Sequence, residues 1–565
     1  VSVTTLLTWL EAPSTRTGVN FGSREGGWRR YSYAELARLS RRAAHALTDA
    51  GVRRDDVVAL VLPSSPAFLA AYFGVLLAGA TPAPLAPPVT GAPTAVGYDD
   101  RMSALLTAAR PRAVITDRDP GQVLPADIPV LRSASLLDPA HERDTGPGRA
   151  PATRGLVQFT SGSGGRARGV ALDAAALAGH VSTIRDWLRA GPGTVWASWL
   201  PVHHDMGLVG CLLGAVLAQD ELWLLPPEAF VRQPLEYLRC FGLRGASISA
   251  TPAFGLDHIL RKVRPEDLTG LDFSGWQSLV VGAERIPPAT LRDFHALLGL
   301  HGLRRGALLP AYGLAEASLA VTGLRHGQQW TEEKSVVGCG VPLPGTTVRI
   351  VDDDGRDLPD RTVGEIAVRG PQLALGHLGG DDRDTRIAGG ELRTGDAGFL
   401  ADGQLFVHGR IGDGLKVRGQ WVFAEDVEQI LGRAGLLPPR AVVVLGEDAT
   451  GPVAALVAED GTGTGTGAGT GAGTRAGTGA GTGTGISTST GAGTGAGTGT
   501  GTGAGRPGAA TDDAVRRVLR RAVPGADALV LEVARSALPR TPSGKPRRRT
   551  IWHTLVENAA DHPQT

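Results

Sequence analysis

The 565-residue sequence predicts an α/β protein: a large N-terminal domain of parallel βαβ sheets plus a small antiparallel β subdomain, followed by a small α+β C-terminal domain. Three observations carry this expectation. Through the first half, apolar runs of strand length alternate with helix-length segments, the pattern of βαβ units whose sheet is covered on both faces. Beyond residue 341 the chain changes to short strands of alternating polarity joined by Asp/Gly turns. After residue 409 a further short set of strands and helices begins.

In chain order, Leu36, Leu39, Ala43, Leu47 and Ala50 recur at helical spacing with Arg38, Arg41 and Arg42 between them, and Gly51 ends the helix. VVALVL (57–62) reads as a buried strand and 66–77 as a buried helix. No charge occurs from Val57 to Tyr98, but Pro63 and Pro66 interrupt the run. The 13 apolar residues left at 68–80 are too few for a membrane span, which takes about 20. TPAPLAPP (81–88) is expected to lead the chain away from the sheet. RAVIT (112–116), 155–159, 246–250 and 278–281 are further strands, and TVRIVDDDG, GEIAVRG and GQLFVHG make up the antiparallel subdomain. The last domain holds LKVRG, a helix near 426–431, strands at 441–445 and 453–457 and a helix at 512–522. The boundary is placed at residues 410–413, giving domains 1–411 and 412–565.

Composition narrows the function classes. The 57 basic and 56 acidic residues leave a net charge of +1, so no global field recruits nucleic acid or a membrane surface. Three widely spaced cysteines form neither a disulfide framework nor a zinc site. With a first segment that lacks the positive n-region of a secretory leader, they predict a cytoplasmic protein. Glycine is abundant at 80 residues, and 20 of these lie in a Gly/Thr/Ala tract at 461–505. That tract has too little apolar side chain to build a core and is expected to be a disordered linker-like loop.

The sharpest chemical feature is FTSGSGGRARG (159–169), a strand followed by hydroxyls, glycines and two arginines. Glycines allow backbone N–H groups to converge on an anion, hydroxyls add donors, and arginine adds charge-assisted bonds to phosphate. A flexible surface loop is the other reading of this segment. It is not a Walker A loop, because Gly544-Lys545 is followed by Pro546. No G-x-S-x-G occurs, which leaves serine hydrolase chemistry without support. His203, His204 and Asp205 are not expected to hold a metal, since adjacent residues converge poorly on one ion.

TSGSGGRARG resembles the phosphate loop of the acyl-adenylate-forming superfamily, with Gly164 and Ala167 where threonine and proline are usual. Four more segments resemble the family in its order: WLPVHHDMGLVG (199–210), AYGLAEASL (311–319), LRTGDAGFLADGQLFVHGRIGDGLKVRG (392–419) and LPRTPSGKPRRR (538–549). LPVHHDMGL, VGAERI (281–286) and the GCG around Cys339 are most similar to the fatty acyl-AMP ligases. The resemblance spans residues 31–549.

It implies the following roles. Thr160, Ser161, Gly162, Ser163, Gly164, Gly165 and Gly169 bind phosphate, and Arg168 takes the place of the loop's usual lysine. Gly282, Ala283 and Glu284 run along the purine edge, while Ala311, Tyr312 and Gly313 face adenine. Asp396, in a TGD turn, accepts from the ribose hydroxyls, with Arg410 nearby. Glu316, helped by Thr160, holds Mg²⁺. His204 lines the acyl site, with 206–217 as core or acyl-tunnel wall, and Gly412 and Asp413 form the hinge of a mobile C-terminal domain. Lys545 is the catalytic lysine that stabilises charge developing between carboxylate and α-phosphate. The Arg547–Arg549 run beside it would ordinarily be a solvated face.

The implied reaction converts a carboxylic acid, most simply a fatty acid, and Mg·ATP into acyl-AMP and pyrophosphate. The acyl group then passes to the phosphopantetheine thiol of an acyl carrier protein. The chain contains no Asp-Ser-Leu-type carrier motif, so the carrier is expected in trans. Two alternatives stay open: coenzyme A as acceptor, favoured by only 18 residues between Leu319 and Gly338, and an adenylate-binding module of weak activity.

Overall fold

The structure, a computed structural model, describes residues 5–88, 98–117, 128–143, 148, 150–160, 168–378, 386–417, 420–448, 451–459, 509–534, 537–540 and 546–556. The chain divides into two units between His408 and Gly409.

The first unit is built on a nine-stranded sheet. Its interior strands Leu308–Gly313, Ser278–Val281, Ile248–Thr251, Val195–Ser198, Glu221–Leu224 and Gly18–Gly22 are parallel. Antiparallel strands close both edges: Ala320–Gly323 and Val341–Pro342 on one side, Trp28–Ser32 on the other. A second, parallel sheet runs Thr81–Pro84, Val57–Val61, Ala113–Thr116, Val130–Leu131. The apolar runs of the sequence are these interior strands: Val58, Ala59, Leu60, Ile248, Leu279 and Val281 are each buried.

Helix Tyr33–Asp49 begins where a capping box sets it. The Ser32 hydroxyl accepts from the Glu35 N–H at 3.2 Å, and the Glu35 carboxylate accepts from the Ser32 N–H at 2.8 Å. Its apolar stripe packs on helix Pro66–Leu77, which is buried on nearly every face, as its uniformly apolar sequence requires.

Two expectations are corrected. The Pro-rich 81–88 segment does not leave the sheet, since Thr81–Pro84 is its buried edge strand. An edge is where proline is tolerated, because one side of the strand needs no donor. The strand before the Ser/Gly loop is not part of a βαβ unit either: Arg154–Thr160 pairs antiparallel with Arg168–Asp173, which pairs antiparallel with Gly376–Leu378. The loop at 161–167 therefore joins two strands of a hairpin rather than a strand and a helix.

The antiparallel subdomain follows the reading closely, with strands Thr347–Val351, Gly364–Arg369, Glu391–Ala401 and Arg386–Ala388 in that order and Gln404–Arg410 paired to Glu391–Ala401. In the second unit, Ala441–Asp448 pairs antiparallel with Gly451–Glu459, which pairs parallel with Asp527–Val533. Val443 and Leu445 face helices Ala424–Arg433 and Ala509–Ala522, whereas Val442 and Val444 face Ile551 and Trp552. Cover on both faces explains why AVVVL is apolar at every position. No helix among the described residues is long and apolar enough to cross a membrane.

Candidate active site

The three-stranded sheet around the Ser/Gly loop gathers the site. Thr160 and Arg168 are direct cross-strand partners at its mouth. One row further in, Phe159, Gly169 and Leu378 are paired, and beyond them Gln158, Val170 and His377. Side chains alternate faces along a strand, so Thr160, Arg168, Gln158 and His377 share one face and Gly169 points to the other. Ser161, Gly162, Ser163, Gly164 and Gly165, as well as Lys545 and the 461–505 tract, lie outside the described residues.

Two members of that face, Gln158 and His377, reach other expected parts. The Gln158 amide donates to the His203 carbonyl at 2.8 Å, tying the acyl-site motif to the phosphate-loop strand. Its Oε1 is buried and makes no hydrogen bond among the described residues. His377 Nε2 is 3.3 Å from Glu316 Oε1, and the two side chains are 2% and 8% exposed. Thr160, Arg168 and Glu316 are thus brought to one neighbourhood through His377.

Glu316 lies in the turn Ala315–Ala317, whose continuation is held firmly. The Glu316 carbonyl accepts from the Ala374 N–H at 2.8 Å, and Ser318, with φ of +61°, donates its hydroxyl to the Gln372 carbonyl at 2.7 Å. On the other side, the His180 imidazole accepts from the Ala320 N–H at 3.1 Å. Burial lowers the pKa of His180 to about 4, which keeps that nitrogen an acceptor. Oxygen donors from one carboxylate and one hydroxyl, Glu316 and Thr160, suit a hard divalent cation that takes its remaining ligands from phosphates and water. Among the described residues no group of three or more His, Cys, Asp or Glu side chains is placed to hold a metal ion by itself.

The nucleotide candidates sit at the carboxyl ends of adjacent parallel strands, where ligands bind in open α/β sheets. Gly282, Ala283 and Glu284 follow Ser278–Val281, and Ala311, Tyr312 and Gly313 end Leu308–Gly313. Ala283 is held at φ of +64°, a conformation uncommon for a residue with a β-carbon and typical of functional turns. The Glu284 carboxylate accepts from the Phe254 N–H at 2.7 Å, satisfying the first turn of helix Ala253–Lys262.

Asp396 is 7% exposed and is not in a turn, as the TGD sequence suggests, but in the long strand Glu391–Ala401. Between the pairs Glu365–Ala397 and Ala367–Arg393 the register shifts, with the extra residues 394–396 bulging on the strand Glu391–Ala401 itself, and Gly395 takes φ of +69°. The bulge re-aims the Asp396 side chain, and the Tyr312 hydroxyl donates to it at 2.6 Å. Tyr312 therefore contributes its polar tip to the carboxylate as well as its ring.

His204 Nδ1 is 2.7 Å from Asp205 Oδ1, which orients the ring and directs Nε2 away from the carboxylate. Its neighbour His203 is half-buried, and desolvation together with the nearby His204 lowers its pKa to about 4. Met206–Leu213 forms a π-helical segment in which every residue is buried.

In the second unit, Arg410 ends its strand and Gly412 and Asp413 lie in the turn Ile411–Asp413. Within the basic run after Lys545, Arg549 is exposed but Arg548 is not solvated. Arg548 is enclosed by Glu425 at 2.7 Å, Glu428 at 2.9 Å and Asp413 at 3.9 Å, with only 10% of its side chain exposed. Burial raises the pKa of Asp413 to about 6, against the opposing pull of Arg548. A β-carbon added to Gly412 would stand 2.5 Å from the Arg549 guanidinium, so glycine at the expected hinge makes room for that group.

Residues 9–378 match the family profile described as AMP-binding enzyme. The chain is 30% identical to the medium-chain-fatty-acid acyl-carrier-protein ligase JamA of Moorena producens over 444 residues, 70% of this chain and 74% of JamA. It is 31% identical to a 4-hydroxyphenylalkanoate adenylyltransferase of Mycobacterium marinum over 458 residues, 72% of each chain. A putative acyl-CoA synthetase of Caulobacter vibrioides is 30% identical over 452 residues, 74% of this chain and 78% of that one. Among solved structures, one from a study of fatty acyl-adenylate ligases from E. coli and L. pneumophila superposes with a TM-score of 0.81 and 26% identity, covering 99% of this chain and 98% of the other.

Proposed function

The chain belongs to the AMP-binding enzyme family and is an adenylate-forming ligase, and from that premise we propose that it activates a fatty acid as acyl-AMP for delivery to a separate acyl carrier protein. The observation that carries the first half is the shared sheet face: Thr160 and Arg168 stand opposite each other there, and His377 of the same face touches Glu316.

A carboxylate is ionised at neutral pH, since its pKa is about 4–5, so it attacks the α-phosphorus of ATP without a general base. The bond from that phosphorus to the bridging oxygen breaks and pyrophosphate leaves. Catalysis is then positioning and charge stabilisation by Arg168, the loop N–H groups of 161–165 and Lys545. Glu316 and Thr160 would hold Mg²⁺, whose chemistry is to neutralise phosphate charge. Tyr312 and Asp396 hold adenine and ribose, Gly282, Ala283 and Glu284 line the purine, and His204 faces the reacting carboxylate. Arg410 adds a ribose or phosphate contact, and Gly412 and Asp413 serve the turn through which the second unit reorients. In the second step the carrier's phosphopantetheine sulfur bonds to the acyl carbon and AMP departs. A reducing cytoplasm suits the three buried free thiols of Cys211, Cys240 and Cys339.

JamA supports the carrier protein as acceptor. The second reading, coenzyme A, is favoured by the short segment between Leu319 and Gly338 and by the Caulobacter relative. A panel of carboxylic acids scored for pyrophosphate release defines the acid. Incubation of the activated enzyme with coenzyme A and, separately, with holo-carrier protein then tests the acceptor. Acylation of the carrier alone is expected, and acylation of coenzyme A alone overturns that half of the reading.

A further inference from the structure

We propose that His377 is a positioning residue of the adenylation site, fixing the Glu316 carboxylate for a divalent cation; this rests on the assignment of Glu316 to that cation. A carboxylate as buried as Glu316, 6% exposed, is costly unless a donor or a cation compensates it. His377 Nε2 at 3.3 Å from Oε1 is such a donor. The imidazole engages Oε1, and the other carboxylate oxygen, Oε2, is the one offered to a hard cation.

The geometry is over-determined. The segment carrying His377 is laced to the Glu316 turn at three places: the Gln372 carbonyl takes the Ser318 hydroxyl at 2.7 Å, the Ala374 N–H donates to the Glu316 carbonyl at 2.8 Å, and His377 meets the carboxylate. The same segment pairs with Arg168–Asp173 through Gly376–Leu378, with His377 opposite Val170, two residues from Arg168 and on its face. His377 therefore sets the distance between the cation's carboxylate and the phosphate-binding strands. An ordering side chain behind a metal ligand ordinarily changes metal affinity by ten- to a hundredfold.

The test uses the full-length enzyme and three variants, His377→Phe, which keeps the ring volume and removes the donor, His377→Gln, which places an amide N–H near the Nε2 position, and Glu316→Gln. Two quantities are read: the Mg²⁺ concentration for half-maximal pyrophosphate release at saturating ATP and acid, and Mn²⁺ binding by electron paramagnetic resonance in the presence of a non-hydrolysable ATP analogue. His377→Phe and Glu316→Gln are each expected to weaken both by about tenfold or more, His377→Gln to recover most of the loss, and the KM for the acid to stay unchanged. Wild-type cation binding in folded His377→Phe, with Glu316→Gln defective, overturns the role of His377. Failure of His377→Gln to rescue also overturns it, since packing rather than the donor would then matter. Unchanged cation binding in Glu316→Gln instead overturns the assignment of Glu316 itself.

Discussion

The Tyr312 hydroxyl stands 2.6 Å from Asp396 Oδ2, joining residues from two different sheets across 84 positions of sequence. The phenol donates to a buried carboxylate, and such charge-assisted bonds contribute about 1.5–3 kcal/mol. Tyr312→Phe is therefore expected to raise the ATP concentration for half-maximal pyrophosphate exchange by roughly ten- to a hundredfold, with little change in the KM for the acid. Equal ATP dependence in the variant and the parent would mean that the bond serves only the fold.

Lys545→Ala should lower acid-dependent acyl-adenylate formation by about a hundredfold or more, the scale for a group that stabilises transition-state charge. ATP binding, followed by protection against thermal unfolding, should persist. A variant that forms adenylate at a near-normal rate would remove Lys545 from the reaction.

Arg548→Met leaves Asp413, Glu425 and Glu428 around an apolar side chain. Removing one partner from a buried ion cluster costs about 3–5 kcal/mol. Amide exchange in Ala441–Asp448 and Gly451–Glu459 should accelerate accordingly, while exchange in Ser278–Val281 of the first unit stays at its parent rate.

Stability should fall with acid through His180. The folded state keeps this imidazole neutral down to about pH 4, whereas the unfolded chain takes up a proton near pH 6.5. Acid then favours unfolding, so the contribution is complete above pH 6.5 and disappears as the pH falls towards 4, a loss of about 3 kcal/mol. His180→Gln keeps an acceptor for the Ala320 N–H and cannot titrate. Denaturant unfolding at pH 7.5 and pH 5 should show a smaller drop for this variant, and an identical drop would exclude His180 as the source.

Deleting residues 461–505 is expected to leave adenylation almost unchanged, because no residue assigned to the chemistry lies there. A large loss in a pyrophosphate-release assay would assign the tract a positioning role.

Much of this architecture was legible because it is local. Continuous apolar runs became interior parallel strands, and VGAERI and AYGLAEASL lie at the ends of neighbouring strands. What escaped was long-range. His377 lies 61 residues from Glu316, and nothing in the spacing of either announces the other. Arg548 looked like part of a solvated basic run because its three carboxylates come from 120 or more positions away, and only folding brings them together. The TGD segment misled because Gly and Asp favour turns, whereas here the same left-handed glycine makes a bulge inside a strand.

The edge strand Thr81–Pro84 has one more effect. The N–H groups of Thr81 and Leu85 point inward, to the carbonyls of Asp56 and Leu60. The alternate positions, 82 and 84, face outward, and both are proline. The seam beside the phosphate-loop strand, which Thr81 touches through its hydroxyl on the Arg154 carbonyl, thus has no backbone donors at those positions. Strand Arg154–Thr160 is not a ladder member of that sheet, and its ladder partner is the hairpin return Arg168–Asp173. Two missing hydrogens insulate the site's platform from its neighbour and leave it free to carry its own register.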